Sequence, residues 1–318
     1  MPYNRRTFIG KTAMLAGISG FQLTVVAAEI FSQTQGNRLV LLGTQGGPFI
    51  RSYRQTPSAS AIVYNNNIIV IDSGYGVTFK LLEAGIKLNA ISHIFITHHH
   101  SDHNLELGPL LYNAWIAGLN NTVQVYGPAG VSSLLKYYWD SNRIDIDMRI
   151  KDEGRPDIRA LVVATEFGEG TIVSNGIFSA AAIKNIHPPF SESYALKFVL
   201  GDTKLVFSGD TTYCPALIPF SIGADYLIHE VMHGPAVEEM VKRRPGNAVK
   251  LKASILSHHT LAEDVGKIAT GARVKNLVLN HLIPPDDASL TEQAWKEAVG
   301  KTFAGNIIVG KDLLQLTL

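Results

Sequence analysis

From residue 38 onward the apolar residues fall in short runs separated by glycine, proline and asparagine, the pattern of β-strands. Residues 38–42 read as a first strand, broken by Gly43-Thr44-Gln45-Gly46-Gly47-Pro48. Residues 60–64 and 68–71 predict a hairpin across Asn65-Asn66-Asn67, residues that tolerate left-handed turn geometry. Further strands are expected at 91–97 and at 122–126, the latter closed by Gly127-Pro128. Helical periodicity covers 77–84, ending at Gly85, and 105–119, with Pro109 in its first turns. In the second half, strands are expected at 177–183, 195–200, 204–208, 226–229, 253–256 and 276–280, and helices at 262–271 and 291–301. The stretch 141–169 is the most polar and carries no clear period. No Pro- or Ser-rich linker divides the chain, so one compact α/β domain is expected, with sheet layers covered outside by helices.

Composition narrows the class. The 318 residues are 46% hydrophobic and 17% charged, which describes a globular chain with a sizeable core and excludes a disordered one. A net charge of +1 lacks the clustered Lys and Arg excess of a dedicated nucleic-acid binder. The single cysteine, Cys214, excludes a disulfide framework and a cysteine-rich zinc site, and reads as a buried small residue.

The first 28 residues form a separate segment. Arg5-Arg6, followed by Thr7-Phe8-Ile9, precedes a mildly apolar stretch at 12–26 that ends in Ala27-Ala28. That order resembles a twin-arginine export signal with cleavage near Ala28. Gly17, Ser19, Gly20 and Gln22 interrupt the stretch, which is short for a membrane span. Residues 1–28 are therefore expected to direct export of the folded protein to the periplasm or beyond. Residues 29–318 would then be the working domain, with no stable span after cleavage.

The chemistry concentrates where strands end. His98-His99-His100-Ser101-Asp102-His103 directly follows the apolar run 91–97. Histidines and a carboxylate crowded at a sheet edge repel and desolvate one another, and a divalent cation removes that cost. Imidazole with carboxylate and no thiolate suits zinc, with iron or manganese as less specific choices. His187, Asp210 and His281 repeat the grammar: an apolar strand, then one ligand-type side chain at its carboxyl end.

Together these residues resemble the metallo-β-lactamase fold. Thr97 to His103 resembles its HxHxDH signature, Asp72 its earlier structural aspartate, and Ser208-Gly209-Asp210-Thr211 its bridging carboxylate. His187 and His281 match its two later histidines, so the resemblance covers the chain from about residue 38 to the end. It implies a four-layer αββα sandwich with two zinc ions at one edge. By the same resemblance His98, His100 and His187 would hold one metal. Asp102, His103 and His281 would hold the other, with Asp210 between them. His99 has no role in that pattern.

A narrower resemblance is to the ribonuclease Z branch. Leu227-Ile228-His229-Glu230 resembles its His-Glu motif, and His259-Thr260 with Glu263-Asp264-Val265-Gly266 its later histidine motif. This implies that Glu230 orients His259 and that His259 protonates the leaving group, so Asp102, His259 and Glu230 are the expected catalytic residues. His259 fits the motif better than its neighbour His258.

The expected reaction is hydrolysis of an anionic ester by a hydroxide held between two zinc ions. Precursor tRNA is disfavoured as substrate. The export signal removes the chain from it, the short interval between His187 and Asp210 leaves no room for that branch's tRNA-binding arm, and the charge is near zero. Exported relatives of this core resemble arylsulfatases, with small-molecule phosphodiesterases as close competitors. Tyr112, Trp115 and Tyr137-Tyr138-Trp139 are candidate aromatics for an aryl group at the mouth. A ribonuclease Z-type endonuclease and a lactonase or β-lactamase are the alternatives, though the last two need neither Glu230 nor His259. A non-catalytic scaffold would have lost ligands. The expected partner is a small anionic ester and not a nucleic acid; the resemblance alone suggests a homodimer.

Overall fold

In β1 (Arg38–Gly43), Leu39 and Leu41 face one core while Val40 and Leu42 face another, so the strand is buried on both sides. Such a strand must lie between two layers. The computed structural model, which describes residues 36–243 and 248–318, builds two seven-stranded sheets on that principle. The export segment expected at residues 1–28 lies outside the described residues.

The first sheet contains β1, β2 (Ala59–Tyr64), β3 (Asn67–Ile71), β4 (Ile91–Phe95), β5 (Val123–Gly127), β6 (Val162–Glu166) and β14 (Leu314–Thr317), in the order β14-β1-β2-β3-β4-β5-β6. The second runs β13-β12-β11-β10-β9-β8-β7. Its strands are β7 (Gly170–Ser174), β8 (Ser179–Lys184), β9 (Tyr194–Leu200), β10 (Thr203–Phe207), β11 (Tyr226–Met232), β12 (Asn276–Ile283) and β13 (Asn306–Val309). Leu39, Ile62, Ile69, Phe95, Phe198, Leu205, Ile228 and Val278 form one core from both sheets. The opposite faces carry helices. On the first sheet these are α1 (Val77–Glu83), α2 (Ser101–Asn104), α3 (Leu107–Ile116), α4 (Val131–Ser141), α5 (Arg143–Glu153) and α6 (Ile158–Leu161). On the second they are α7 (Leu217–Phe220), α8 (Gly234–Lys242), α9 (Ala248–His258), α10 (Ala262–Ala272) and α11 (Glu292–Gly300). The expected four layers, helix, sheet, sheet, helix, are present. Among the described residues no helix is long and apolar enough to cross a membrane.

The β2–β3 hairpin turns where expected, with Asn65 and Asn66 at φ 45 and 62. One expected element is corrected: residues 253–256 are not a strand but lie inside α9, where Leu251 and Ile255, one helical turn apart, pack on Met240 and Val241 of α8. β3, β4 and β5 run parallel to one another, as do β10, β11 and β12. Their carboxyl ends therefore gather on one edge of the sandwich, where the chain leaves each strand through a loop free to carry chemistry.

One buried carboxylate fixes the loop over that edge. Asp312 accepts from the backbone N–H and hydroxyl of Thr44 (3.0 and 2.9 Å) and of Thr56 (2.9 and 2.9 Å), with Lys80 Nζ at 3.4 Å. Thr44 and Thr56 are buried, so removing the acceptor strands two backbone donors away from water. Asp312→Ala is expected to cost about 3 kcal/mol, read as a lower urea midpoint at unchanged slope.

Candidate metal centre

The loop after β4 carries the histidine cluster to the edge, and Asp72 at the end of β3 secures it. Asp72 sits at φ 59, a left-handed conformation that costs a non-glycine residue about 1 kcal/mol or more and is retained where function needs it. Its carboxylate accepts from Thr97 N–H (2.8 Å), from the Thr97 hydroxyl, and from His103 Nδ1 (2.7 Å). That bond fixes a proton of His103 on Nδ1 and turns Nε2 inward. His281, in β12, is likewise left-handed at φ 44.

Seven expected side chains converge in two groups that share Asp210. In the first, His100 Nδ1 lies 3.0 Å from His98 Nε2 and 2.9 Å from His187 Nε2, and Asp210 Oδ2 stands 3.9 and 4.0 Å from the latter two nitrogens. In the second, His281 Nε2 is 3.2 Å from both Asp102 Oδ2 and Asp210 Oδ2, and His103 Nε2 is 3.3 Å from Asp210 Oδ1. Each group's donor atoms lie within 4.8 Å of one another. Atoms on a tetrahedral zinc with bonds near 2.05 Å stand about 3.4 Å apart, so both groups have the right span.

Two further observations bear on whether a cation fits. His103 Nε2 and Asp210 Oδ1 are fully buried and make no hydrogen bond within the protein. Orphaned buried polar atoms are rare and need a partner. The second nitrogens of three of the histidines, by contrast, are engaged: His98 Nδ1 with the Thr97 hydroxyl (3.0 Å), His187 Nδ1 with the His258 carbonyl (3.0 Å) and His103 Nδ1 with Asp72 (2.7 Å). Those three rings are held from outside with Nε2 turned toward the centre, whereas His281 Nδ1 is buried without a partner. Imidazole and carboxylate donors suit zinc.

Electrostatics prepare most of the donors. Burial opposes charge on His103, but Asp210, Asp72 and Asp102 outweigh it and raise that imidazole well above its usual value, so a cation would have to displace its second proton. Burial pushes the His98 imidazole well below its usual value, reinforced by neighbouring His103, and burial takes His187 down to about 4, so both are neutral donors. Burial opposes ionisation of Asp210, but His281, His103 and His98 outweigh it and hold the carboxyl well below its usual range. Asp102, opposed by burial and favoured by His103 and His281, falls to about 2. The carboxylates are ionised and ready for a cation.

Beside the second group sits an acid–base pair. Both oxygens of Glu230, in β11, face His259 Nδ1, at 3.1 and 3.2 Å, and Oε1 also accepts the Thr211 N–H at 2.7 Å. Burial opposes charge on His259, but Glu230, then Asp210 and Asp102, overcome it and raise the imidazole to about 9. Burial also pushes Glu230 upward, against His259. An ionised carboxylate is the form that satisfies every donor pointing at Glu230, so the proton belongs to His259. His259 is the ring at the site, as expected; its neighbour His258 contributes only its carbonyl to His187.

Other placements were less legible. His99 turns away, between the Ala129 carbonyl (3.1 Å) and Asn104 (3.0 Å). Cys214 is buried. The aromatics expected at the mouth are elsewhere: Trp115 is in the helix-side core with Nε1 bonded to the Pro156 carbonyl, Tyr112 pairs with Asp145, Trp139 is buried, and Tyr137 points outward on α4. Helical spacing made them core and surface residues of α3 and α4. The aromatics at the site are Phe190, whose ring stands edge-on 4.6 Å from that of His100, and Phe49 in the β1–β2 loop. Both lie in Gly- and Pro-rich loops with no periodicity to single them out.

Comparison with known proteins agrees with this geometry. The family model described as Anti-Pycsar protein Apyc1 matches residues 37–241. Ribonuclease Z of Mycobacterium sp. (strain KMS) is 29% identical over 279 residues, covering 86% of this chain and 94% of that protein. The metallo-beta-lactamase fold protein YhfI from Bacillus subtilis superposes with a TM-score of 0.67 at 21% identity, over 88% of this chain and 98% of its own. Zn(2+)-bound PqqB from Methylobacterium extorquens does so with a TM-score of 0.63 at 14% identity, over 88% of this chain and all (100%) of its own. The fold is that of the metallo-β-lactamases.

Proposed function

This chain belongs to the Anti-Pycsar protein Apyc1 family and is a metal-dependent hydrolase of the metallo-β-lactamase fold, and we propose that it cleaves small phosphodiesters. The observation that carries the proposal is the Glu230–His259 pair standing against two donor groups that share one carboxylate. Hydrolysis of a lactone or β-lactam needs no such donor, whereas an ester with a poor leaving group does.

In this reading His98, His100 and His187 would hold one zinc ion and Asp102, His103 and His281 a second, with Asp210 available to both. Such ions supply Lewis acidity and lower the pKa of water. The chain's own residues do the rest. Asp72 and the His258 carbonyl keep the tautomers of His103 and His187 that present Nε2 to the centre. The Gly47 N–H donates to Asp102 Oδ2 at 3.0 Å and steadies that carboxylate. Glu230 holds His259 by Nδ1, leaving Nε2–H to protonate the oxygen that departs with the electron pair of the broken P–O bond.

Phosphorus is favoured over sulfur by the ribonuclease Z relative, whose name denotes cleavage of an RNA phosphodiester. A small substrate is favoured because only β9, β10 and their connections lie between His187 and Asp210, and because the net charge is +1. RNA is the second reading, supported by the match over 94% of that relative's length.

The test is zinc-loaded protein assayed on bis-p-nitrophenyl phosphate, p-nitrophenyl sulfate, a lactone and a precursor tRNA. Turnover of the phosphodiester with the tRNA left intact is expected. Cleavage of the tRNA at its 3′ end, or turnover of the sulfate or lactone alone, would overturn the reading.

A further inference from the structure

We propose that the cleft beside His259 seats the departing alcohol of the substrate, and that Phe49 makes it select an aromatic ring. The inference rests on the hydrolase reading above and adds a specificity element to it. The cleft has a volume of about 210 Å³, room for one aromatic ring system. On one side it meets the chemistry, at His259 and at Gly47, whose N–H reaches Asp102. A group protonated by His259 as it leaves is released into this space. The other side is apolar: Phe49, Met240, Ile255 and Ile283.

Phe49 is 68% exposed and lines this cleft beside His259, so its ring is open to a bound group. Its backbone is nevertheless held. The buried Gln45 amide donates to the Gly47 carbonyl (2.8 Å) and the Phe49 carbonyl (3.1 Å). Gly46 lies so close to β12 that an added Cβ would come 2.4 Å from Ile283 Cγ1 and 2.9 Å from the Leu282 carbonyl. Arg51 ties the rim together, donating to the Pro285 carbonyl at 3.4 Å and reaching Met240 Sδ at 3.8 Å, with its guanidinium 5.8 Å from the Phe49 ring centre. The backbone that carries the ring is thus held, and the polarisable thioether of Met240 lines the same cleft. A flat aromatic or heteroaromatic group gains ring–ring and sulfur–ring contact beyond the apolar burial that a small alkyl group also gains.

Binding to zinc-loaded protein, read by calorimetry, separates the two. Benzylphosphonate and ethylphosphonate share an anionic head that cannot be hydrolysed and differ in the ring. The wild type is expected to bind the benzyl compound about tenfold more tightly. Phe49→Ala is expected to abolish most of that preference by weakening benzylphosphonate binding far more than ethylphosphonate binding, and Phe49→Trp to retain it. Met240→Ala, in the same cleft, is expected to weaken the preference in part. Equal binding of both compounds by the wild type, or a full preference surviving in both alanine variants, would overturn the proposal. Loss of the preference with phosphodiester turnover intact removes the subsite alone; turnover of sulfate or tRNA with the preference intact removes only the functional reading.

Discussion

Asp210→Ala is expected to abolish metal retention and hydrolysis together, with turnover of bis-p-nitrophenyl phosphate falling about a thousandfold or more. Asp210 is the one carboxylate common to both donor groups, within 3.3 Å of the inward nitrogens of His103 and His281 and about 4 Å from those of His98 and His187. Its removal takes a negative charge from four buried imidazoles at once, and among the described residues Asp210 is the one carboxylate grouped with His98, His100 and His187. The variant should still fold. The turn that carries Asp210 is anchored independently, by the Thr211 N–H on Glu230 and by the Thr260 hydroxyl on the Thr211 carbonyl. Elemental analysis should show at least one ion per chain lost, with circular dichroism unchanged. Asp210→Asn keeps the shape and one acceptor oxygen, and should retain more metal than the alanine variant. Full metal content in Asp210→Ala would mean that the two groups do not share this residue.

The same residues show what a sequence can carry. Strands buried on both faces were legible because nearly every residue is apolar, as in Leu39 to Leu42 or Leu277 to Leu279. Their carboxyl ends were legible where a histidine or aspartate follows the run, as at Asp72, His98 and Asp210; His281, expected to end its strand, instead lies inside β12, which continues to Ile283. Edges were not. β6 and β7 are largely exposed and bury only part of two side chains each, Val162 and Ala164, and Ile172 and Val173, too few to stand out from the polar stretch around them. Residues 253–256 failed for the opposite reason: a four-residue apolar run is too short to reveal its period, and only the packing of Leu251 and Ile255 against α8 shows it to be helical. Aromatics failed because the pattern that makes Trp115 conspicuous is the pattern of a core helix, whereas Phe49 matters through the loop that holds it.

Two left-handed residues lie at the same edge. Asp72 and His281 each direct a side chain into the site, Asp72 within its own sheet and His281 across to the first sheet's Asp102. Asp72 from β3 orients His103, and His281 from β12 meets Asp102 and Asp210. A relaxed backbone at either position would turn the side chain to another face of its strand. The fold tolerates the cost because the sandwich core on both sides fixes the strands independently of their ends.

His259→Ala is expected to leave metal content unchanged and to slow hydrolysis in proportion to the difficulty of the leaving group. Esters that release p-nitrophenolate, which departs without help, should lose less than about tenfold, while alkyl phosphodiesters should lose about a hundredfold to ten-thousandfold. Rates plotted against leaving-group pKa should therefore steepen in the variant. Glu230→Gln should show the same trend more weakly. The double variant should be little worse than His259→Ala, because Glu230 acts through the imidazole it holds. The rival assignment is that His259 is itself a ligand, since Glu230, His259 and His281 also bring donor atoms within 4.8 Å of one another. Geometry argues against it. Glu230 Oε1 already accepts the Thr211 N–H at 2.7 Å and both its oxygens face His259 Nδ1, so it has little capacity left for a cation. His259 is 14% exposed and lines the open cleft, where a proton donor must meet substrate. Zinc content decides between the two: an ion lost from His259→Ala makes this residue a ligand and leaves the leaving group without its donor.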